Sequence, residues 1–324
     1  MYDIITFGSA TRDAFFFSAD FKIIRNKNFL TGKALAMNLG AKIEIDDVVF
    51  TTGGGGTNTA VSFSKLGFKV AYAGQVGDDI SGQHILEELK QNNVNISFAI
   101  TDKKQKTAYS VILSSKDWGR TILVYRGASS YIDSKKINWS KLKSKWFYIS
   151  SLNGNFDLLE KIFEHAEKNK IKIAFNPGSR ELENSKIKPL LRMTNILILN
   201  QEEASNLTQI NFKKTAAILK KLDNFTLGIT VMTQGDKGLE AICDGKMYRA
   251  GTLGEKGVEK TGAGDAFGAG FTSGMILKND IFYAIRLGSA NATSVIRIIG
   301  AKNGLLDKKD LNNFKKVEVK KRRS

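Results

Sequence analysis

The sequence predicts an α/β fold in three layers, with a mainly parallel central sheet between helices and a small separate sheet beside it. After residue 145, short apolar runs rich in β-branched residues alternate regularly with helical patterns. Such alternation is typical of βαβ units, and right-handed crossovers then place helices on both faces of the sheet. Two stretches, about residues 14–50 and 96–126, contain strand-like runs without long helices between them. These stretches predict the separate sheet.

The elements of the main sheet are predicted from apolar periodicity, in chain order. The first half contains the strand YDIITFG, the helix GTNTAVSFSKLG ending at Gly67, the strand KVAYAG and the helix GQHILEELKQNN. The second half contains the strand KWFYIS, the helix NFDLLEKIFEHAEKN, the strands KIAFN and NILILN, the helix TAAILKKLD and the strand LGITVMT.

The separate sheet and the C-terminus are predicted from shorter patterns. TAYSVILSS and GRTILVYRG are spaced as two strands of an antiparallel hairpin, with a turn at KDWG. The sequence shows no internal repeat, so residues 1–310 are expected to form one domain. Residues 311–324 end in KKVEVKKRRS, a basic segment with little apolar content, and we expect this tail to be disordered.

Composition indicates a soluble globular protein and excludes several kinds of site. The chain has 324 residues, of which 42% are hydrophobic and 25% charged. The single cysteine, Cys243, excludes an intramolecular disulfide and suits a reducing cytoplasm. Two distant histidines, His84 and His165, make zinc sites and histidine-dependent triads poor candidates. Without a basic start before an apolar run, and without an apolar run of ~20 residues, we expect no signal peptide, no membrane span and a cytoplasmic location.

The formal net charge of +17 admits two interpretations. It would suit nucleic-acid binding, but the lysines are scattered along helix faces, as in KKTAAILKKLDN, and no nucleic-acid-binding motif is present. A basic surface also attracts small anions such as nucleotides. We therefore expect no specific nucleic-acid partner.

Three polar or glycine-rich segments follow strands, where ligands of open α/β sheets bind. In TTGGGGTNTA, the glycines from Gly53 to Gly56 either let the backbone approach a ligand or form a flexible turn, and Asn58 can donate and accept. In NQEEASNLT, Asn200 and Glu203 are one helical turn apart and could orient water around Mg²⁺, or simply cap the helix. TQGDKG contains Thr233, Gly235 and Gly238, which form either a nucleotide-binding turn or a tight hairpin.

The segment KTGAGDAFGAGF combines an anion site with an acid. Gly262, Ala263 and Gly264 would leave backbone N–H groups free at a helix N-terminus, and Asp265 follows in its first turn. This arrangement suits an attacking hydroxyl that loses a proton during phosphoryl transfer, although an ordinary helix start is the simpler alternative. Glycine costs about 1 kcal/mol relative to alanine inside a helix, so the glycines at 268, 270 and 274 predict that another group approaches the backbone closely.

Four ordered motifs and a closing helix resemble those of the ribokinase-like (PfkB) carbohydrate kinases. The similar segments are KTGAGDAFGAGF, the pair GGGGTNTAVSFSKLG and GQVGDDISG, the strand-end motifs NQEEA and TQGDKG, and the helix ANATSVIRIIGAKNG. The resemblance covers about residues 2–306. It implies the three-layer αβα fold of these kinases, with the two irregular stretches as a β lid. It also implies ATP and Mg²⁺ as cofactors. The sequence leaves open whether the lid joins two copies of the chain in a homodimer.

The resemblance implies a role for each matching position. Asp265 would be the general base, beside an anion hole made by the backbone of residues 262–264. Asn200 and Glu203 would position Mg²⁺ and its waters near the phosphates. The remaining implied positions are Thr233, Gly235, Gly238 and Asn291 around the nucleotide, and Asp13, Gly53, Gly54 and Asn58 around the acceptor hydroxyls. Departures from the pattern at Thr11, Gly55 and Asn153 leave ribose open as the acceptor, and Glu259–Lys260 before the anion hole leaves a monovalent cation open.

The residues of the acceptor side indicate a polyol. A carboxylate at Asp13 accepts from two adjacent hydroxyls, and the Asn58 amide both donates and accepts. Tyr109 and Arg126 lie on predicted lid strands that could face a sugar. An arginine there would favour a sugar acid, unless Arg126 faces solvent or a second lid. The order of expectation is a neutral furanose or nucleoside first and a sugar acid second.

Three classes of function are compatible with these motifs. The leading hypothesis is an ATP-dependent kinase of a sugar, nucleoside or sugar acid. A second is a kinase of a non-sugar alcohol, such as a vitamin precursor. A third is a nucleotide-binding regulator without turnover, against which the intact Asp265 and its glycine loop count.

Overall fold

A computed structural model of the protein describes residues 1–29, 32–114 and 120–322. The strands are β1 (Tyr2–Phe7), β2 (Thr11–Phe17), β3 (Lys22–Arg25), β4 (Lys33–Ala36), β5 (Asp47–Gly53), β6 (Val70–Gly77), β7 (Asn95–Asp102), β8 (Ala108–Ser114), β9 (Arg120–Tyr125), β10 (Ser144–Ser150), β11 (Lys172–Asn176), β12 (Ile196–Asn200), β13 (Ile229–Thr233), β14 (Leu239–Cys243), β15 (Lys246–Ala250) and β16 (Val319–Arg322). The helices are α1 (Gly55–Lys65), α2 (Ile80–Gln91), α3 (Phe156–Lys168), α4 (Ser179–Leu182), α5 (Ile187–Arg192), α6 (Gln201–Thr208), α7 (Thr215–Asp223), α8 (Ala263–Lys278) and α9 (Ile281–Val295).

The central sheet confirms the predicted α/β architecture. Over the described residues it has ten strands in the order β16-β15-β14-β13-β12-β11-β10-β1-β6-β7. Neighbouring strands from β13 through β7 are parallel. The strands β14, β15 and β16 add an antiparallel edge. The strands and helices predicted for this sheet are all present, with ends within a few residues of those expected.

Helices cover both faces of the sheet, so the fold has three layers. One apolar core lies between the sheet and α3 and α7, with Phe163 and Leu219 among its buried side chains. The other lies between the sheet and α1, α2, α8 and α9, and includes Phe63, Phe271 and Ile285. No helix in the described ranges combines the length and the apolar character that crossing a bilayer would require.

The predicted lid is present as a separate four-stranded sheet in the order β5-β2-β8-β9. β8 and β9 form the expected antiparallel hairpin, while its predicted turn at 116–119 lies outside the described residues. The predicted lid segment 96–126 begins too early, because residues 95–102 form β7, which pairs in parallel with β6 in the central sheet. β3 and β4 form a further two-stranded sheet.

The prediction of a disordered C-terminal tail is wrong for the part that the structure describes. β16 pairs with β15 and extends the central sheet, so residue 310 is not a structural boundary. Phe314 and Val317 are buried. The high lysine content obscured these apolar positions, whose burial favours an ordered segment.

The glycines of α8 allow close packing within the protein. A side chain at Gly268 would collide with the Tyr148 hydroxyl, and one at Gly274 would collide with Ala284 of α9. The close approach predicted from these glycines is therefore made by a strand and a neighbouring helix, and not by a ligand. This packing sets the position of the N-terminus of α8 at the candidate site.

Candidate active site

The candidate site lies where the strand order of the central sheet reverses. β1 is flanked by β6 on one side and β10 on the other, and the chain builds outward in both directions from this pair. The loops that follow β1 and β10 therefore diverge and leave a crevice, which is where open α/β sheets bind ligands. Ser150, the last residue of β10, contacts the glycine run at the start of α1 here. This crevice receives residues from four separate parts of the chain.

Asp265 and Asn58 meet in this crevice. The Asn58 amide Nδ2 donates to Asp265 Oδ2 at 2.8 Å, although the two residues are 207 positions apart in sequence. Burial raises the pKa of Asp265, against the opposing effects of the Asn58 hydrogen bond and the charge of Lys302. A carboxylate held at a fixed position, with a raised pKa, has the properties of a general base.

The start of α8 places backbone N–H groups beside this carboxylate. Gly262 has φ 81°, a left-handed conformation that ends the preceding loop, and a side chain there would collide with Ala301. The first helical hydrogen bond runs from the Ala266 amide to the Gly262 carbonyl at 2.8 Å.

The Ala263 amide, one of the predicted anion-hole donors, instead donates to the Lys260 carbonyl at 3.2 Å, so its prediction as a free N–H group is wrong. The amides of Gly264 and Asp265 are among the N–H groups that a helix start leaves without an intrahelical partner. A helix N-terminus of this kind stabilises an anion.

Asp13 lies on the lid strand β2, facing the same crevice, and is 5% exposed. Its carboxylate packs against the backbone of Gly53, where any side chain would collide with it. Burial raises the pKa of Asp13 to about 6, against the opposing effects of a hydrogen bond from Ser110 and of the charges of Lys302 and Arg12. Gly54 follows with φ 96° and begins α1. The sequence-predicted residues Asp13, Gly53, Gly54 and Asn58 are thus brought together.

Three buried polar atoms near these carboxyl groups have no hydrogen-bond partner among the described residues: Thr51 Oγ1, Asn58 Oδ1 and Ser150 Oγ. Thr51 pairs with Asp13 across β5 and β2, so both side chains lie on one face of the lid sheet. Buried polar atoms are normally paired, and an unpaired cluster indicates a ligand that supplies the partners. Sequence reasoning missed Thr51 and Ser150. The position of Ser150 at the carboxyl end of a strand was the available signal.

A cleft on the other side of the α8 N-terminus contains most of the predicted nucleotide-binding residues. Thr233, Gly235, Gly238, Ala263 and Gly264 all line it. The turn between β13 and β14 is a tight hairpin as well as a cleft wall, with Gly238 at φ 93°. Missed lining residues come from the loop after β15 and from one face of α9, namely Gly251, Thr252, Leu253, Gly254, Ser289, Ala292, Thr293 and Ile296. Their spacing on α9 at three and four residues was the available signal.

Asn291 does not lie in this cleft, so its predicted role at the nucleotide is wrong. It is fully buried. Its amide nitrogen donates to Ser62 Oγ at 2.9 Å and to the Ala266 carbonyl at 2.7 Å, and its oxygen accepts from the Leu306 amide at 3.0 Å. Both amide hydrogens and one lone pair of the oxygen thus join α1, α8 and the loop after α9. Asn291 therefore supports the anion-hole helix from behind.

Asn200 and Glu203 form the helix cap that was the simpler alternative. The Glu203 amide donates to Asn200 Oδ1 at 2.8 Å, and the Asn200 amide donates to Glu203 Oε2 at 2.8 Å. Asn200 is level with Thr233 on the adjacent strand. Burial, with smaller contributions from the carboxylates of Glu202 and Glu181, raises the pKa of Glu203.

Neither Asn200 nor Glu203 is among the residues that line the nucleotide cleft, and Glu203 borders a separate cavity beside α4 and α5. A Mg²⁺ ion at the phosphates would therefore meet these residues through bound water. In the described part of the chain no group of three or more His, Cys, Asp or Glu side chains is arranged to hold a metal by itself. Mg²⁺ typically takes only one or two protein carboxylates and keeps several waters. Glu203 retains a second carboxylate oxygen beyond the cap, and a nearby cation would offset the repulsion from Glu202 and Glu181.

The lid residues Tyr109 and Arg126 are not brought to the acceptor crevice. In the parallel register of β2 and β8, Tyr109 is level with Arg12, while Asp13 is level with Ser110. Since side chains alternate along a strand, Tyr109 lies on the opposite face from Asp13, and its predicted acceptor contact is wrong. Arg126 is exposed after the end of β9, which agrees with the solvent-facing alternative.

The loop before the anion hole carries two charged side chains that already pair with protein groups. Arg120 of β9 contacts the Glu259 carboxylate and donates to Thr261 Oγ1 at 2.9 Å. Lys260 Nζ lies 2.9 Å from Asp236 Oδ1 in an exposed ion pair. The loop is thus joined to the lid by Arg120.

Comparison with known proteins gives one family match. The family model of the pfkB family carbohydrate kinases matches residues 23–308. The sequence is 26% identical over 267 residues to a ribokinase of Haemophilus influenzae, covering 81% of this chain and 86% of that protein. It is 27% identical over 259 residues to a nucleoside kinase of Methanocaldococcus jannaschii, covering 78% and 82%.

The same architecture is found in a solved structure, a ribokinase of Arabidopsis thaliana complexed with ribose and ATP. Its TM-score to this chain is 0.79, with 19% sequence identity, over 96% of this chain and 97% of that chain. The three-layer fold with its lid is therefore shared, and the identity of the acceptor has to be argued from the crevice itself.

Proposed function

Because the chain belongs to the pfkB family of carbohydrate kinases, we propose that it transfers the γ-phosphate of ATP to a hydroxyl group of a neutral sugar or nucleoside. The acceptor occupies the crevice between Asp13 and Asn58, and the nucleotide occupies the cleft lined by Thr233, Gly235 and Gly238. The N-terminus of α8 separates the two, so the transferring phosphoryl group lies at Gly264.

Asp265 is the general base in this proposal. As the acceptor oxygen attacks the γ-phosphorus, its O–H bond breaks and the proton passes to the Asp265 carboxylate. The new O–P bond forms while the bond from the γ-phosphorus to the bridging oxygen breaks, and ADP leaves. The support is the hydrogen bond from Asn58, which fixes the carboxylate next to the acceptor space.

The backbone amides of Gly264 and Asp265 at the α8 N-terminus stabilise the charge of the transferring group. Little covalent chemistry falls to the protein in phosphoryl transfer, so positioning and charge stabilisation carry most of the catalysis. Mg²⁺ would be held by phosphate oxygens and by water bound to Glu203, and when bound it would neutralise phosphate charge. Asn200 keeps the Glu203 side chain in place through the cap.

The unpaired buried atoms Thr51 Oγ1, Asn58 Oδ1 and Ser150 Oγ support a polyhydroxyl acceptor most directly. Together with the carboxylates of Asp13 and Asp265, they supply acceptors and rotatable donors for several hydroxyl groups. The side chains of Arg12 and Arg126 do not line the acceptor crevice. Arg126 is exposed, and Arg12 Nη1 lies 3.0 Å from His84 Nδ1 on the opposite face from Asp13. A neutral acceptor is therefore favoured over a sugar acid.

A coupled ADP-release assay across neutral sugars, nucleosides, sugar acids and vitamin-precursor alcohols tests this proposal. We expect turnover with a neutral sugar or nucleoside. Turnover confined to the non-sugar alcohols would support the second hypothesis. ATP binding without turnover on any acceptor would support the nucleotide-binding regulator.

Glu203→Gln is expected to raise the Mg²⁺ concentration needed for half-maximal turnover by about tenfold, with little change in acceptor KM. The amide oxygen of glutamine can still accept from the Asn200 backbone, so α6 keeps its start. The measurement is turnover against Mg²⁺ at saturating acceptor and ATP. Glu167→Gln, an exposed change on the distant helix α3, is the control. A raised acceptor KM with an unchanged Mg²⁺ response would contradict the assignment of Glu203.

The lid is expected to join two copies of the chain. β9 is the edge strand of the lid, and Leu123, Val124 and Tyr125 on it are at least half exposed, as is Phe50 on β5. An apolar edge strand of this kind pairs readily with another chain. Light scattering after size exclusion should give a dimer for the wild type and a monomer for Leu123→Lys. Leu227→Lys, at an exposed apolar position outside the lid, should stay dimeric. A monomeric wild type would contradict this expectation.

A further inference from the structure

Lys302 is buried beside the acceptor crevice and has no role in the reaction described so far. It lies in the turn that follows α9 and is 6% exposed. Of the lysines and arginines whose side chains the structure describes, Lys302 alone is buried. Burying an ammonium group is costly unless it is paired and hydrogen-bonded.

The Lys302 ammonium is held by two partners. Its Nζ lies 2.8 Å from Glu88 Oε2 on α2 and also donates to the hydroxyl of Thr52. That hydroxyl in turn contacts Glu88. Thr52 directly precedes Gly53, the residue whose backbone packs against the Asp13 carboxylate. Thr52 is level with Arg12 on β2, so its side chain and the ammonium that donates to it lie on the face of β5 opposite Asp13, behind the wall of the acceptor crevice.

The turn that carries Lys302 also contacts this wall directly. A side chain at Gly300 would collide with Thr51, the residue opposite Asp13 on β5. Ala301, next along the turn, packs against Gly262 of the anion hole. The turn is thus in contact with both the acceptor wall and the phosphate site, and Lys302 is its charged residue.

The charged groups around Lys302 come from three elements. They are Glu88 and, beyond it, His84 on α2, Asp13 and Arg12 on β2, and Asp265 on α8. The Lys302 charge lowers the pKa of both Asp13 and Asp265, whose pKa values burial raises. Among the described lysines and arginines, Lys302 is the buried cation whose charge acts on both carboxyl groups.

We propose that Lys302 is a positioning residue for phosphoryl transfer, whose buried ammonium, anchored by Glu88 and Thr52, balances the negative charges of Asp13 and Asp265 from behind the wall of the acceptor crevice. This inference rests on the proposed function. A buried lysine–glutamate pair contributes little net stability compared with apolar packing, so stability alone does not account for Lys302. Burial disfavours the ionised form of each carboxyl group, and a buried cation nearby offsets that cost.

The charge of Lys302 should affect how turnover depends on pH. Asp265 accepts a proton only when it is ionised, and Asp13 accepts from hydroxyl groups best when ionised. Turnover at low acceptor concentration therefore falls as the pH drops through their pKa values. Removing the Lys302 charge raises those pKa values, so the fall should begin at a higher pH.

The test compares Lys302→Met, Lys302→Arg and the double variant Lys302→Met/Glu88→Gln. Lys302→Met leaves the Glu88 carboxylate without its ammonium partner and is expected to lower the melting temperature. The double variant removes both charges, so its melting temperature should be higher than that of Lys302→Met. Lys145→Met is the matched control, because Lys145 Nζ also lies 2.8 Å from a carboxylate, that of Asp3, but is exposed. For each protein without ligand, the Asp13 pKa is measured by NMR with ¹³C-labelled aspartate, assigned with Asp13→Asn.

We expect the Asp13 pKa to rise by about one unit in Lys302→Met and in the double variant, and to stay near the wild-type value in Lys302→Arg and Lys145→Met. The acid limb of kcat/KM should move by the same amount in the same variants. If the double variant recovered both the melting temperature and the wild-type Asp13 pKa, Lys302 would be structural only and the inference would be overturned. An unchanged Asp13 pKa in Lys302→Met would overturn it as well.

The two proposals fail separately. If the wild type phosphorylated no acceptor while the Asp13 pKa still responded to Lys302, the proposed function would be contradicted and the charge balance supported. If the wild type turned over normally and Lys302→Met changed neither the Asp13 pKa nor the acid limb of kcat/KM, the proposed function would be supported and the charge balance by Lys302 would be contradicted.

Discussion

Asp265→Asn should remove turnover while leaving the fold and ATP binding intact. Asparagine has the same shape, and its side-chain oxygen can still accept from Asn58, so the N-terminal turn of α8 keeps its geometry. It cannot take the proton from the acceptor hydroxyl. General-base catalysis is worth about 10²–10⁴ in rate, and kcat should fall by at least that factor. Single-turnover kinetics and nucleotide titration are the measurements.

Asp157→Asn is the matched control for this change. Asp157 is an exposed aspartate in the first turn of another helix, α3. The control should retain wild-type kcat and the same melting temperature. Near-normal kcat in Asp265→Asn would contradict the assignment of Asp265 as the base, whereas lost ATP binding would indicate a disturbed anion hole.

Asp13→Ala should abolish measurable acceptor binding while ATP affinity stays the same. The carboxylate is buried against Gly53, and no other acidic side chain lies on that face of β2. Sites built to pair with hydroxyl groups penalise the loss of such a pair by up to ~10⁴–10⁵ in kcat/KM. Acceptor KM and the affinity for ATP are measured separately. The nucleotide cleft does not include Asp13, so the two constants should respond independently.

Two further substitutions on the lid make this result specific. Asp20→Ala removes an exposed acid just after the same strand and should leave acceptor KM unchanged. Arg126→Ala should also leave it unchanged for a neutral acceptor, but should raise it for a sugar acid, because guanidinium pairs with carboxylate in a fork. Unchanged acceptor affinity in Asp13→Ala would overturn the acceptor site as a whole.

The pattern of apolar residues was sufficient for the central sheet and for most of the helices. Each strand buried on both faces is a continuous apolar run, such as ILIL in β12. In each amphipathic helix, such as α3, apolar residues recur every three or four positions. Glycine and polar residues at strand ends also indicated the crevice, since the carboxyl ends of parallel strands share one edge. Local patterns of this kind depend on neighbours in sequence.

The errors arose where position depends on pairing between distant segments. Tyr109 was expected at the acceptor, but a strand register decides which face a residue takes, and a shift by one residue reverses it. Asn291 was expected at the nucleotide, but the packing of α8 against α9 turns it inward to Ser62 and Ala266. The C-terminal strand was missed because its partner, β15, lies about seventy residues earlier in the sequence. The local pattern of apolar residues does not indicate pairing with so distant a strand.

The sequence by itself determined the family, the three-layer architecture and the identity of the acid beside the glycine loop, because these follow from short motifs and from apolar periods. Only the tertiary structure decided which polar groups share the crevice. Asn58 reaches Asp265 across 207 positions, and Lys302 reaches Thr52 across 250. A hydrogen bond or a buried charge depends on distance in space, and that distance is set by how the sheet, the lid and the closing turn pack together.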